Sequence, residues 1–282
     1  MSPTDRPKGE HRSAQREGSP VLPTGRPEGE HRSAQREGTP VTATGAPPTA
    51  RVFDVGAVAF DLDGTLLDTI HDLAAAVNAL LGEMGYPPLP KAEIRDLVGK
   101  GMQNLVRRAL ASAFGVSPAV VDDDEVAAAL ARYQTHYASL LGRETRLYPG
   151  VREGLDRLAA MGLPLAVITN KATRFVRPHL DHAGLTGYFR VLVGGDDLPA
   201  KKPAPDPLLH VAARLGVLPG ELLMVGDSTN DAQAARAAGC PVLILPYGYN
   251  EGEPVQSIDA DGIVPSLVDV AERVRPLPLR RP

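Results

Sequence analysis

The stretch with the clearest chemical potential is DLDGT at residues 61–65, which directly follows an apolar run. Because side chains alternate along a strand, Asp61 and Asp63 point the same way, off the strand's carboxyl end. Paired carboxylates suit a divalent cation of the magnesium type, and a carboxylate can also attack phosphorus to form an acyl-phosphate. Gly64 permits a sharp turn close to a ligand, and the Thr65 hydroxyl can donate to an oxyanion. The alternative interpretation is an ordinary tight turn, since Asp-Gly after an apolar run is a common hairpin signal.

A second polar cluster follows the apolar run that ends at Ile168. Thr169 supplies a hydroxyl and Asn170 an amide, and both groups can bind phosphate oxygens. Either residue can equally cap the next helix, whose N-terminus itself attracts anions. The two interpretations are compatible, and the residues alone leave both open.

Two further clusters combine lysine and aspartate. Lys202 directly precedes Pro203, which stiffens the backbone and holds the ammonium in place. A fixed ammonium near a phosphate neutralises charge that grows in the transition state, although a pair of solvated loop lysines is the simpler interpretation. The run that ends at Val225 opens into GDSTND, where Asp227 and Asp231 can complete an oxygen cage, anchor the lysine or cap the following helix.

From residue 148 onward, short apolar runs alternate with amphipathic segments. They predict strands at 163–168, 189–193, 221–225 and 242–245, and helices at 150–161, 173–183, 207–215 and 231–238. Continuous apolar strands between helices indicate an α/β fold with a parallel sheet covered on both faces. Ligands of such sheets bind beyond the carboxyl ends of the strands, and all four polar clusters follow directly on strands.

Residues 68–147 differ in character and predict a helical insert. Thr69 and Asp72 have the Ser/Thr-x-x-acid form of a helix start, and apolar residues then recur at helical spacing. Helices are predicted over 70–84, 102–114 and 126–141. With no strand pattern among them, the insert is predicted to form a small bundle of its own.

The first fifty residues resemble nothing else in the chain. Residues 6–25 return almost unchanged as residues 26–45, and both copies are rich in Pro, Gly, Ser and mixed charge. Such a segment buries too little apolar surface to offset its ordering entropy, so we predict that residues 1–50 are disordered. No apolar segment follows the basic residues, which argues against a signal peptide. We interpret the tail as a functionless extension, with a partner-binding arm as the alternative.

Composition limits the classes of partner. A net charge of −4 over 282 residues offers no basic field for nucleic acid. No apolar run approaches the roughly 18 residues of a membrane span. The single cysteine, Cys240, excludes an intramolecular disulfide and fits a reducing cytoplasm. We therefore expect a cytoplasmic protein without nucleic-acid or membrane partners. The polar clusters at the strand ends predict a small phosphorylated substrate. Composition does not bear on the oligomeric state, for which we expect a monomer or a weak dimer.

Four motifs, DLDGT, ITN, KKPAPDP and GDSTND, stand in this order along the chain. Together they resemble the four motifs of the haloacid dehalogenase superfamily of phosphatases, over about residues 53–275. The resemblance implies a Rossmann-like α/β core formed by residues 51–67 and 148–282. It also implies that the helical insert, 68–147, is the cap that closes over the substrate and excludes water.

The same resemblance implies a role for each motif residue. Asp61 would be the nucleophile, and Asp63 the acid/base that protonates the leaving alkoxide and later activates water. Magnesium would be held by Asp61, by the backbone carbonyl of Asp63 and by Asp227. The phosphate would be bound by Thr169, Asn170 and Lys202, and Asp231 would position the lysine or metal-bound water.

Longer runs, including KKPAPDPLL and VGDSTNDAQAARAAGCP, resemble the bacterial phosphoglycolate phosphatases within that superfamily. The implied reaction is hydrolysis of 2-phosphoglycolate, whose carboxylate calls for a cation, and Lys100 is the candidate from the cap. Another small sugar phosphate as substrate, or a mutase activity, is the alternative within the class. A non-catalytic phosphate-binding protein is the alternative outside it, and the Asp61 and Asp63 pair argues against that.

Overall fold

The computed structural model describes residues 51–278. The predicted disorder of residues 1–50, and the duplication within them, lie outside the described residues. The strands are β1 (Phe53–Val55), β2 (Ala57–Phe60), β3 (Leu67–Asp68), β4 (Arg146–Leu147), β5 (Leu165–Ile168), β6 (Phe189–Val193), β7 (Leu222–Gly226), β8 (Val242–Ile244), β9 (Gly262–Ile263) and β10 (Val274–Pro276). The helices are α1 (Ile70–Glu83), α2 (Lys91–Leu97), α3 (Met102–Phe114), α4 (Asp123–Leu140), α5 (Val151–Ala160), α6 (Thr173–His182), α7 (Asp206–Leu215), α8 (Thr229–Ala238) and α9 (Leu267–Glu272).

A six-stranded sheet in the order β6-β5-β2-β7-β8-β9 forms the centre of the structure. Every neighbouring pair in it is parallel, as the alternation of strands and helices predicts. The predicted α/β class and parallel core are therefore confirmed. Because the strands are parallel, the chain leaves each of them at the same edge of the sheet, and the four polar clusters begin there.

Strand β2 shows how the sequence builds the two faces of this sheet. Its four residues are fully buried. Val58 and Phe60 join the apolar cluster on one face, whereas Ala57 and Ala59 join the cluster on the other. A strand buried on both faces needs an unbroken apolar run, and the period of two sends alternate side chains to opposite layers.

Helices α1 to α4 pack mainly on one another and have a separate apolar cluster. Tyr133 and Tyr137 of α4 are fully buried in it, with their rings stacked at 5.8 Å between centroids. Strands β3 and β4 form a short antiparallel ribbon where the chain enters and leaves this helical segment. Among the described residues, no helix combines the length and apolarity needed to span a membrane.

Helix α1 begins at Ile70, as the sequence predicts, but its first turn is satisfied differently from a capped helix start. Thr69 is the N-cap residue, but its side chain makes no capping hydrogen bond. Asp72 instead accepts hydrogen bonds from Gly142 N–H, Glu144 N–H and the Thr145 hydroxyl, at 2.7–2.9 Å. The pattern of Thr69 and Asp72 thus marks the correct helix start, but the acid satisfies a distant turn rather than its own helix end.

Several short elements were not predicted, namely α2, α9, β1, β9, β10 and the ribbon of β3 and β4. They have two to seven residues each, which is too short for a period to be read from the sequence. The ribbon and the pair of β1 with β10 exist only because distant segments meet.

Candidate active site

The loops that follow β2, β5 and β7 meet at the carboxyl edge of the sheet beneath the helical segment, around a small cavity. The sheet side of the cavity is polar and the helical side is largely apolar. Its walls are formed by Asp61, Asp63, Leu73, Val98, Gly99, Gly101, Met102, Leu105, Thr169, Asn170, Lys171, Asp227, Ser228 and Tyr249. Five of the seven residues predicted for the site line this cavity, and the other two, Lys202 and Asp231, lie directly behind Asp61.

Asp61 follows directly on β2, and its carboxylate faces a buried ammonium. The Lys202 Nζ lies 3.0 Å from Asp61 Oδ1, and it donates to Asp231 Oδ1 at 2.6 Å and to the Ile168 carbonyl at 2.7 Å. Burial raises the pKa of Asp61 to about 6; Lys202 opposes that shift, and the nearby carboxylates of Asp231 and Asp63 add to it. Loss of the charge on Asp61 therefore requires far less acid than for a solvated aspartate.

Asp63 has a different electrostatic environment, which the sequence analysis missed. The Lys171 Nζ donates to its two carboxylate oxygens at 2.9 and 3.1 Å, and to the Tyr137 hydroxyl at 2.5 Å. Burial alone would raise the pKa of Asp63, but the charge and hydrogen bonds of Lys171, together with His179, outweigh burial, so that the pKa is lowered. The available signal was position: Lys171 directly follows Thr169 and Asn170 at the same strand end.

Asp227 follows directly on β7 and is held in a tightly packed pocket. It accepts hydrogen bonds from the Thr65 hydroxyl and, at 2.6 Å, from Tyr249 N–H. A Cβ atom built on Gly64 or on Gly248 would lie 2.3 or 2.2 Å from its Oδ2, so both positions exclude side chains. Gly64 also has φ +90°, a conformation that favours glycine. Burial raises the pKa of Asp227 well above its ordinary value, and the carboxylates of Asp231 and Asp61 raise it further.

Asp231 has little capacity left for a ligand. One carboxylate oxygen accepts from Lys202, and the other accepts from the backbone N–H and hydroxyl of Ser228, at 3.1 and 2.7 Å. It therefore both anchors the lysine and caps α8, two of the alternatives that the sequence left open.

Thr169 and Asn170 lie together in the cavity wall. The Thr169 side-chain oxygen accepts from Lys171 N–H at 3.2 Å, which leaves its own O–H free to donate. The Asn170 Nδ2 donates to the carbonyls of Gly99 and Lys202, at 3.0 and 2.9 Å. The amide donors of Asn170 are thus occupied by the backbone, on both the helical segment and the lysine loop.

The carboxylates provide an oxygen-rich position suitable for a metal ion. Oxygen atoms of Asp61, Asp227 and Asp231 all lie within 4.8 Å of one another. Since Asp231 is occupied, Asp61 and Asp227 are the available side-chain ligands. Asp61 Oδ1 is buried and accepts no hydrogen bond of good geometry within residues 51–278, although the Lys202 ammonium lies 3.0 Å from it. A hard divalent cation such as Mg²⁺ fits this donor set.

Lys100, the expected cap cation, is engaged elsewhere. Its Nζ lies 2.9 Å from Glu251 Oε2, and Arg108 pairs with the same carboxylate at 3.1 Å. Lys100 is about half exposed, and it is not among the described residues that form the cavity wall.

The fold and the motifs define the class. The chain belongs to the haloacid dehalogenase-like hydrolase family, whose model matches residues 58–245, and it is a hydrolase. Its relatives include the phosphoglycolate phosphatase of Nitrosospira multiformis, 49% identical over 221 residues that cover 78% of this chain and 96% of the relative. The phosphoglycolate phosphatase of Escherichia coli K12 is 43% identical over 232 residues, which cover 77% of this chain and 91% of the relative. Among solved structures, a protein of Haemophilus somnus described as a predicted phosphoglycolate phosphatase matches with a TM-score of 0.73 and 35% identity, over 77% of this chain and 97% of that one.

Proposed function

We propose that this enzyme hydrolyses 2-phosphoglycolate to glycolate and phosphate through an aspartyl-phosphate on Asp61. The observation that carries the proposal is the pair of carboxylates in one cavity, Asp61 against Lys202 and Asp63 against Lys171. Each carboxylate has its own buried ammonium, and the two occupy the positions of the family's nucleophile and acid/base. The substrate follows from the relatives, since those of Nitrosospira multiformis and Escherichia coli are both phosphoglycolate phosphatases.

In the first step, a carboxylate oxygen of Asp61 attacks phosphorus, and the bond from phosphorus to the glycolate oxygen breaks. The electron pair of that bond goes to the leaving oxygen, which takes a proton from the carboxylic acid of Asp63. Lys202 lies 3.0 Å from Asp61 Oδ1 and so offsets negative charge around the attacking oxygen. The free O–H of Thr169, at the cavity wall, is suited to donate to a phosphoryl oxygen.

In the second step, Asp63 acts as a base. Its carboxylate takes a proton from water as the water oxygen attacks phosphorus, and the bond from phosphorus to the Asp61 oxygen breaks. The products are phosphate and the restored Asp61 carboxylate, with Asp63 again protonated for the next cycle. The ion pair with Lys171 orients the Asp63 carboxylate in the cavity for this step.

The carboxylates of Asp61 and Asp227, together with the Asp63 backbone carbonyl that the family resemblance implies, would hold Mg²⁺. When bound, the ion supplies positive charge for the phosphoryl oxygens and for the buried carboxylates. The support is the shared position of Asp61 and Asp227 and the oxygen-rich donor set that they form.

We also propose that the helical insert, residues 68–147, is the cap. Leu73, Val98, Met102 and Leu105 place apolar surface over the polar sheet edge. A small substrate in such a cavity is shielded from bulk water, which strengthens electrostatic interactions and limits side reactions. Substrate selection then takes place between this apolar surface and the polar groups beneath it.

The direct test is phosphate release from a panel of small phosphate esters, with Mg²⁺ and with a chelator. We expect 2-phosphoglycolate to be the best substrate and turnover to require the metal. Mass spectrometry after rapid acid quench should find one phosphoryl group on the peptide that contains Asp61. Retained metal-dependent turnover in Asp61→Asn, or a clear preference for another ester or for phosphoryl transfer to a sugar, would contradict the proposal.

A further inference from the structure

Lys171 is the one cation in the wall of the cavity among residues 51–278. Its side chain is only 1% exposed. The other buried lysine of the site, Lys202, is not part of the wall, and its ammonium is surrounded by Asp61, Asp231 and the Ile168 carbonyl. A second anionic group on a substrate therefore has one built-in lysine partner in this cavity.

The position of that ammonium matches the leaving-group side of the reaction. It lies 2.9 and 3.1 Å from the oxygens of Asp63, the proposed acid. An acid must lie within about 2.6–3.2 Å of the leaving oxygen. In 2-phosphoglycolate, two covalent bonds, or roughly 2.4 Å, separate that oxygen from the carboxylate carbon. The substrate carboxylate thus falls within reach of the Lys171 Nζ.

The ammonium also has a donor to offer. An ammonium carries three N–H donors, and in the structure Asp63 and the Tyr137 hydroxyl are its two partners. One donor remains for a ligand when Asp63 accepts through a single oxygen. The surrounding wall offers no competing charge from the helical side, where Leu73, Met102 and Leu105 are apolar.

We infer that Lys171 is the specificity-determining residue that binds the carboxylate of the substrate, and that Tyr137 of α4 holds its ammonium in place. The inference deepens the proposed function and rests on it. Tyr137 is fully buried, and its ring packs against Phe175 at 5.1 Å, so its hydroxyl is a fixed point. A buried charge-assisted contact of this kind discriminates strongly, because an ester without the carboxylate leaves the ammonium without that partner.

The test compares kcat/KM for 2-phosphoglycolate with kcat/KM for ethyl phosphate, which has a methyl group in place of the carboxylate. In Lys171→Met, we expect the ratio of the two values to fall roughly 30-fold to 5,000-fold, the range for loss of one partner of a buried charge pair. Tyr137→Phe should lower the ratio less, mainly through KM for 2-phosphoglycolate. The control is Lys91→Met, which removes an exposed lysine of α2 and should leave the ratio unchanged.

The outcomes are distinguishable. If Lys171→Met slows both esters equally, Lys171 acts only by positioning Asp63, and the inference is wrong while the proposed function stands. If Lys100→Met abolishes the preference instead, the carboxylate is bound at the cap, which also overturns the inference. If the wild-type enzyme does not prefer the carboxylate ester at all, both proposals fail. Should Lys171→Met not fold, Lys171→Gln preserves a hydrogen-bonding group without the charge and must show the same fall in the ratio.

Discussion

Replacing the proposed nucleophile should stabilise the metal-free enzyme at neutral pH. Asp61 is buried, and its pKa is raised from 3.8 to about 6. At pH 7 the folded protein must therefore hold a carboxylate charge that its surroundings disfavour, even with Lys202 3.0 Å away. Asp61→Asn removes this charge at nearly constant shape, so the folded state no longer carries that cost.

The size of the expected stabilisation follows from the pKa shift of Asp61. A pKa raised from 3.8 to about 6 corresponds to roughly 3 kcal/mol, at about 1.4 kcal/mol per unit. For a domain of this size, roughly 2–4 °C in Tm accompanies each kcal/mol. The Asn variant should therefore melt about 6–12 °C higher than the wild-type protein at pH 7 in the presence of a chelator.

The stability difference between Asp61→Asn and the wild-type protein should depend on pH. Because the folded pKa lies above the unfolded value, the stability that Asp61 contributes is fully present below about pH 3.8 and is lost as the pH rises through about 6. The advantage of Asp61→Asn should thus be near zero at pH 4 and fully developed at pH 7. Added Mg²⁺ should raise the stability of the wild-type protein and narrow the difference, since a ligand that binds only the folded state stabilises it.

Asp63→Asn is the matched control, because it makes the same substitution at the other carboxylate of the pair, two residues along the chain. The pKa of Asp63 is lowered, through Lys171, so its stabilising contribution is present above the unfolded pKa and is lost as the pH falls. Asp63→Asn should therefore be less stable than wild type at pH 7, with the deficit shrinking toward pH 3. Thermal and urea unfolding of both variants between pH 3 and 8 measure the two trends. An Asp61→Asn protein that is no more stable than wild type at pH 7, or two variants with the same sign, would refute the reasoning.

Three further predictions follow from contacts around the carboxylates. Asp231→Ala leaves the Lys202 ammonium without its partner at 2.6 Å and should lower the free energy of unfolding by about 3–5 kcal/mol, measured by chemical denaturation. Gly248→Ala places a Cβ 2.2 Å from Asp227 Oδ2 and should lower kcat/KM roughly 10-fold to 100-fold, with weaker Mg²⁺ binding by calorimetry; unchanged metal affinity would contradict it. Tyr249→Phe removes the hydroxyl that accepts from two backbone N–H groups at the start of α1, and should cost about 1–3 kcal/mol in unfolding experiments without altering the fold seen by circular dichroism.

Much of the architecture was predictable because the apolar pattern of each short segment matches the burial of that segment in the fold. The four long apolar runs from residue 163 onward became strands within two residues of the predicted bounds, and the predicted helices between them also formed. A strand covered on both faces requires continuous apolar sequence, so its position is encoded locally. The same rule predicted that the polar clusters meet at the carboxyl edge of the sheet, and Asp61, Thr169 and Asp227 do line one cavity.

The pairing of charges was not predictable in this way. Lys171 and Asp63 are 108 residues apart, and nothing in either segment specifies that they meet. Likewise, the Lys100 ammonium pairs with Glu251, 151 residues away, rather than with the cavity. Ion pairs and polar hydrogen bonds depend on how loops from separate strands and helices approach one another.

The sequence by itself determined the parallel sheet and the order of the motifs, and it supplied the residues that we propose attack, protonate and bind metal, because those features depend on periodicity and residue type within short segments. Only the tertiary structure decided which ammonium faces which carboxylate, and hence that the pKa of Asp61 is raised while that of Asp63 is lowered. The physical reason is that the shift of a buried charge depends on neighbours within a few ångströms, and in this site those neighbours come from distant parts of the chain.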